Sequence, residues 1–339
     1  MGSLRFIPFF LLVACAENTD TKLQKFLLKG NLALEQGLAD QAQYYYNQAL
    51  AVDPCFADAH NNLGTLLYQQ KKFEEAKEQY SKALECSPDF TDARYNRVNV
   101  LYRLKEYYGA ARDLEMIEKV KPDTVWVHSM KGMVFTQLRD FPAAINSFTE
   151  AIRRDPAGEA DHLVNRASVK FYMRQYAEAQ RDLERAATLK PNEPAIYNDL
   201  AMIAVEYKEF DKALALANRA LALAPGHAYY LNNRGLAYLG LGRLAEAEID
   251  FNNSMAGEPD NGWVYRNKGI FYLLKNDYAS AERLLVQAQM MDGFIDKLNY
   301  YLGMAYLYNG KKELACAAFR KSDELGEQMV TAELLKQCK

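Results

Sequence analysis

The chain has 339 residues, with 41 Lys and Arg against 44 Asp and Glu and a formal net charge of −3. That balance supplies no basic surface for phosphate backbones and excludes nucleic acid as an expected partner. Half of the residues are hydrophobic and no low-complexity run or long linker interrupts them, so one extended domain with a continuous core is expected.

At the N-terminus, Arg5 precedes an apolar run from Phe6 to Ala14 that stops at Cys15. This run is too short to span a bilayer and fits the hydrophobic region of a secretory signal. Leu12, Val13, Ala14 and Cys15 resemble the bacterial lipobox, in which the signal is removed before a cysteine that is then lipidated. On that reading residues 1–14 are a lipoprotein signal peptide and Cys15 is the lipidation site. Residues 15–22 are a short tether, in which Ala16 to Lys22 reach at most about 25 Å. The alternative is an ordinary cleaved signal or an apolar tail in which Cys15 is incidental. Myristoylation at Gly2 is rejected because position 6 is Phe6, not Ser or Thr.

From there a period takes over. Ala42, Ala76, Ala110, Ala144, Ala179, Ala213, Ala247, Ala281 and Ala315 are spaced 34 residues apart, except for one step of 35. Twelve residues upstream runs a second column: Gly30, Gly64, Val98, Gly132, Ala167, Ala201, Gly235, Gly269 and Gly303. Twelve residues downstream runs a third, from Pro54 through Pro88, Pro122, Pro156, Pro191, Pro225 and Pro259 to Gly293 and Glu327. Such a period marks an array of supersecondary units. Within one repeat, Leu63, Gly64 and Leu67, then Phe73, Ala76, Tyr80 and Ala83, fall at helical spacing on both sides of a polar break at Gln69 to Lys72. Each repeat therefore predicts a helical hairpin whose glycine lets the first helix approach the alanine column of the second. The proline stops the second helix.

This pattern resembles the tetratricopeptide repeat, with its small residue at repeat position 8, alanine at 20, aromatic or leucine at 24 and proline at 32. Asn62, Asn96, Asn165, Asn233 and Asn267 supply the asparagine typical of position 6. The resemblance implies an all-α fold, a right-handed α-solenoid of nine hairpins over residues 23–326. Departures are expected at Val98 and Arg97, which loosen the third repeat, at Ala217 in the aromatic column, and at an inserted residue between Ala157 and Asp161. Residues 327–339, with Val330, Leu334 and Cys338 at four-residue intervals, read as a capping helix that closes the array.

Little in the chain suggests chemistry. Cys55 with Cys86, and Cys316 with Cys338, could meet across helix pairs, but free buried thiols are common and disulfide geometry is demanding. His60, His128, His162 and His227 lack a carboxylate partner at metal-ligand spacing and read as structural. No nucleophile elbow, P-loop or dinucleotide fingerprint is present. Neither a metal nor a cofactor is expected, and no catalysis.

Function is then expected on a surface. In the family, positions 2, 5, 9, 12 and 13 of each first helix line a concave groove. In the second and third repeats these are Asp58, Asn61, Thr65, Tyr68 and Gln69, then Asp92, Tyr95, Asn99, Tyr102 and Arg103, a polar and tyrosine-rich wall. In the last three they include Tyr229, Asn232, Leu236 and Leu239, then Trp263, Arg266, Ile270 and Leu273, then Tyr300, Met304 and Leu307, a largely apolar wall. That wall is the candidate partner-binding site for an apolar peptide or helix face, unless neighbouring repeats or the cap cover it. The lysines and arginine of the family's two-carboxylate clamp are missing. The expected protein is a lipid-anchored scaffold binding a protein or peptide ligand at a bacterial envelope membrane. The outer membrane facing the periplasm is favoured because Ala16, not aspartate, follows Cys15. In plan this resembles the pilotins of type IV pili and lipoprotein adaptors for cell-wall hydrolases. A soluble secreted or cytoplasmic co-chaperone, or a regulatory subunit of an enzyme complex, is the alternative. Homo-oligomers are left open.

Overall fold

A computed structural model describes residues 18–293, 295–327, 329–336 and 338, so the proposed signal and Cys15 lie outside the described residues. The chain divides into two compact units, with the boundary between Arg154 and Asp155. The division falls at the step where the alanine column lengthens by one residue.

The first unit holds four hairpins: α1 (Thr19–Glu35) with α2 (Ala39–Val52), α3 (Ala57–Gln69) with α4 (Phe73–Cys86), α5 (Thr91–Arg103) with α6 (Tyr107–Val120), and α7 (Val125–Gln137) with α8 (Phe141–Arg154). The second unit continues with α9 (Glu159–Tyr172) and α10 (Tyr176–Leu189), α11 (Pro194–Glu206) and α12 (Phe210–Leu223), α13 (Ala228–Gly240) and α14 (Leu244–Gly257), α15 (Gly262–Leu274) and α16 (Tyr278–Met291), and α17 (Leu298–Tyr308) and α18 (Lys312–Glu324). A short α19 (Ala332–Lys336) follows. Among the described residues every regular element is an α-helix, and none is long and apolar enough to cross a membrane.

The alanine column is fully buried, but it is not what the glycines face. A Cβ placed on Gly64 would stand 2.7 Å from the Tyr80 ring, and one on Gly132 would stand 2.6 Å from Phe148. Each glycine instead admits the residue sixteen places later, the aromatic or leucine column. The departures then explain themselves as compensated sizes. Val98 shares its core cluster with Leu114, smaller than the rings at Tyr80 and Phe148, and Ala217 stands in register with Ala201. The third hairpin is nonetheless packed more loosely than its neighbours, as expected, with the Arg97 guanidinium holding Asp113, Nε 2.7 Å from Oδ2. The same staple recurs as Arg166 with Asp182 and Arg234 with Asp250.

Hairpin turns share a further column that the sequence reading missed. Gly37, Lys71, Lys105, Arg139, Arg174, Lys208, Gly242, Asn276 and Gly310 all have positive φ, in phase with the repeat. At α3 the Lys72 amide donates to Leu67 O and the Lys71 amide to Tyr68 O, the paired bonds of a Schellman cap that satisfy the last carbonyls of the helix.

The C-terminus departs from expectation. Among the described residues of the predicted cap only Ala332–Lys336 is helical, and ahead of it stands the buried Glu327. Its carboxylate accepts from Ser322 Oγ at 2.6 Å, from Asn299 Nδ2 at 3.3 Å and from the Tyr300 amide at 3.1 Å. An acidic group suits the N-terminus of α17, where unpaired N–H groups point outward. The possible disulfides are both formed: Cys55–Cys86 and Cys316–Cys338, each with a Cα–Cα distance of 5.3 Å. Antiparallel packing brings Cys55 to the end of α4, and Cys316 on α18 meets the returning segment at Cys338.

Candidate functional site

The predicted apolar wall is split by the structure. Three of its members are interior groups and are withdrawn as partner contacts. Leu239 is buried in the core cluster that holds Phe251 and Phe271. Asn232 is buried, donating from Nδ2 to Asn233 Oδ1 and accepting from Asn267 Nδ2. Arg266 is buried too, with Nε and Nη2 on Asn267 Oδ1 and Nη1 on the Asp296 carbonyl oxygen at 2.7 Å. Burial pulls its pKa down, while Tyr301, Asp296, Glu206 and Glu327 oppose that fall.

The physical reason lies in the connection between α16 and α17. Where earlier repeats carry proline this one carries Gly293, and α17 starts only at Leu298. Ile295 is buried against Gly262 at the start of α15, and Lys297, at φ 60°, sends its ammonium to Glu206 on α11. Arg174, in the turn after α9, reaches the carbonyl oxygens of Gly326 and Glu327 at 3.3 Å and Asp296 Oδ1 at 3.4 Å. The connection between α16 and α17 thus packs against α11 and α15 of the same unit.

The other predicted members keep solvent contact. Ile270, Leu273, Tyr300, Met304 and Leu307 are half-buried, and the first two lean on the core below. Tyr229 is 46% exposed, and it joins Leu236 and Trp263 in the wall of a cavity of about 280 Å³. Its lining also includes polar groups such as Ser168, Asn198 and Asn233, together with four residues of two first helices, Phe171 and Tyr172 of α9 and Met202 and Asp199 of α11. These four were missed in the sequence, although Asp199 left a signal by standing in the asparagine column. On the first unit, Tyr95 and Trp126 pack ring to ring with centroids 4.6 Å apart.

The histidines occupy structural bonds. His60 contacts Gln79 Oε1 and the Pro54 carbonyl oxygen, and His128 the Pro122 carbonyl oxygen. Among the described residues no three His, Cys, Asp or Glu side chains converge as metal ligands would.

Sequence models described as tetratricopeptide repeat match residues 27–90 and 164–228, 200–268, and 297–327, together more than half of the chain. Among solved structures, the fold is similar to that of the Pseudomonas aeruginosa pilF protein, at 22% identity and a TM-score of 0.51, covering 62% of this chain and 96% of that one. It is also similar to a chain of the APC/C hetero-tetramer Cut9-Hcn1, at 16% identity and a TM-score of 0.59, covering 96% of this chain and 70% of that one. At such identities the likeness is one of fold.

Proposed function

Because the chain belongs to the tetratricopeptide-repeat family, we propose that it is a non-catalytic scaffold that recruits a protein or peptide partner at a bacterial envelope membrane. The observation that carries this reading is the cavity walled by Tyr172, Tyr229, Leu236 and Trp263. Leu236 and Trp263 pack in part against the core below, yet with Tyr172 and Tyr229 they leave large apolar and aromatic surface on the cavity. Such groups mark contact surfaces, and Tyr and Trp are favoured anchors.

The location rests on other features. Two disulfides suit an exported protein, since cytosolic thiols are kept reduced. The lipobox-like Leu12 to Cys15 supplies the anchor, and Ala16 after it favours the outer membrane facing the periplasm. Helix α1 starts at Thr19, with Asn18 Oδ1 accepting from the Asp20 amide. That start is about one turn before the expected boundary, which shortens the tether and holds the repeats near the membrane.

The test is fractionation with mass spectrometry in an envelope-bearing bacterial host. The wild-type chain is expected in the membrane fraction with a lipid adduct on Cys15, and Cys15→Ser in the soluble fraction without it, since acyl burial at about 0.8 kcal/mol per methylene holds the anchor. Identical fractionation and mass behaviour would favour the soluble alternative. Cross-linked capture then tests the scaffold: a partner retained by wild type and lost by Trp263→Ala at unchanged helix content supports it.

A further inference from the structure

The asparagine column forms a hydrogen-bonded ladder along the first helices of the second unit. Asn233 Nδ2 donates to Asn198 Oδ1 at 2.8 Å, and Asn267 Nδ2 donates to Asn232 Oδ1 at 2.9 Å. Each rung needs an amide, which donates and accepts at once. Asp199 stands in register with Asn233 and Asn267, one repeat earlier. A carboxylate only accepts, and the residue placed to receive its donation, Val164, has no acceptor on its side chain. The ladder of this unit therefore starts at Asp199, which takes a single bond, 3.1 Å from Asn198 Nδ2. Among the described residues no cation pairs with it.

Asp199 is also a wall of the cavity of about 280 Å³, beside Tyr172, Met202, Tyr229 and Trp263. An acidic group with one donor lacks the partners that normally accompany a charge taken from water, although Ser168, Asn233 and Arg266 line the same cavity. Burial pushes its pKa up to about 6, against the Asn198 bond that lowers it, so at neutral pH most of the population is ionised. Arg266 lines the same cavity, but its donors are engaged by Asn267 and Asp296 and its guanidinium lies 5.1 Å over the Trp263 ring.

We propose that this cavity takes a basic side chain of the partner protein, a lysine or arginine whose cation pairs with Asp199 while its methylene stem packs between Tyr172, Tyr229 and Trp263. The inference rests on the scaffold reading and names the chemistry that its partner presents. Long basic side chains bury an apolar stem and keep a charged head, and aromatic faces add attraction for the cation. The volume sits just below the range of about 300–1,000 Å³ typical of small-molecule sites, which suits one side chain better than a larger ligand.

The test uses the full chain in a Trp126→Phe background, so that fluorescence reports Trp263, with 4-phenylbutylammonium and its neutral isostere 4-phenylbutanol as probes. The ammonium is expected to bind about tenfold more tightly at neutral pH, as one charge-assisted bond allows. Asp199→Asn should erase that preference and leave the alcohol's affinity unchanged. Equal affinities in the wild-type chain, or a preference that survives Asp199→Asn, would overturn the assignment. A captured partner lost on Trp263→Ala but kept on Asp199→Asn would also overturn it while leaving the scaffold reading intact. A probe preference erased by Asp199→Asn supports it even if no partner is captured.

Discussion

Lys297 Nζ lies 2.8 Å from both carboxylate oxygens of Glu206, a residue 91 positions earlier. Tyr176 adds its hydroxyl to Glu206 Oε2 at 3.2 Å, and burial together with the Glu206 charge drives the Tyr176 pKa well up. Both charged side chains are 18% exposed, between the surface pairs worth about 0–1 kcal/mol and the buried pairs whose disruption costs about 3–5 kcal/mol. Lys297→Met should therefore cost about 1–3 kcal/mol, felt mainly in the segments that the pair ties together. Hydrogen exchange should quicken in residues 295–300 and at the start of α10, and remain unchanged in the first unit. Uniform loss of protection across the chain would contradict this.

The size match between the small and aromatic columns makes a prediction with its own rescue. Gly235→Val should drive a side chain into Phe251, since a Cβ there already stands 2.6 Å from the ring, and overpacking of this kind costs about 1–3 kcal/mol. Adding Phe251→Leu recreates the combination present at Val98 and Leu114, and should recover about half of the loss or more. A double-mutant cycle in denaturant measures the coupling, and additive costs would show that the two columns are independent.

Six of the nine hairpin turns place a side chain in the left-handed region, where L-residues pay about 1–2 kcal/mol. Lys208→Gly should relieve that cost, less the extra backbone entropy that glycine loses, for a net gain of about 0.5–1 kcal/mol in chemical denaturation. Arg174→Gly relieves the same turn but removes the bonds to Gly326, Glu327 and Asp296. That variant should gain nothing, or lose stability.

These cases show where sequence and structure part company. Helices, turns and junctions were readable because Ala76, Gly64 and Pro88 act within one repeat, where sequence distance and spatial distance nearly coincide. The Gly64 to Tyr80 contact was misassigned by one helical turn, since columns at positions 20 and 24 share a face of the second helix. Arg174 to Glu327 and Lys297 to Glu206 were invisible, because contacts so far apart depend on the orientation accumulated over several repeats. Asp199 lay between these extremes: its departure from the asparagine column was present in the sequence, but the cavity that gives it meaning needs α9, α11, α13 and α15 together.

Removing the Cys316–Cys338 bridge tests the closing segment. The bridge spans 22 residues, for which loop-closure entropy gives about 3 kcal/mol. Cys338→Ser should leave α1 to α16 folded and expose residues 329–336 to protease. Glu327 should keep its bonds to Ser322 and Tyr300, so cleavage is expected C-terminal to it. Cleavage within α17 instead would show that the bridge, not Glu327, holds the last hairpin.

Asp199 sets a pH dependence whose sign follows from its raised pKa. In the unfolded chain this carboxyl titrates near its ordinary value of 3.8, and in the folded chain near 6. The protonated form is the one that folding favours, so its contribution is fully present below pH 3.8 and lost as pH rises through 6. Asp199→Asn keeps a neutral acceptor for Asn198, and so should match wild type near pH 4 and exceed it above pH 7. At about 1.4 kcal/mol per pH unit, discounted because the cavity opens to solvent, the gain should be on the order of 2 kcal/mol. Denaturant midpoints of both chains between pH 4 and 8 measure this difference directly and cancel the titrations they share. A difference that is flat with pH would mean that Asp199 is well solvated, and the cost assigned to its unpaired charge would disappear with it.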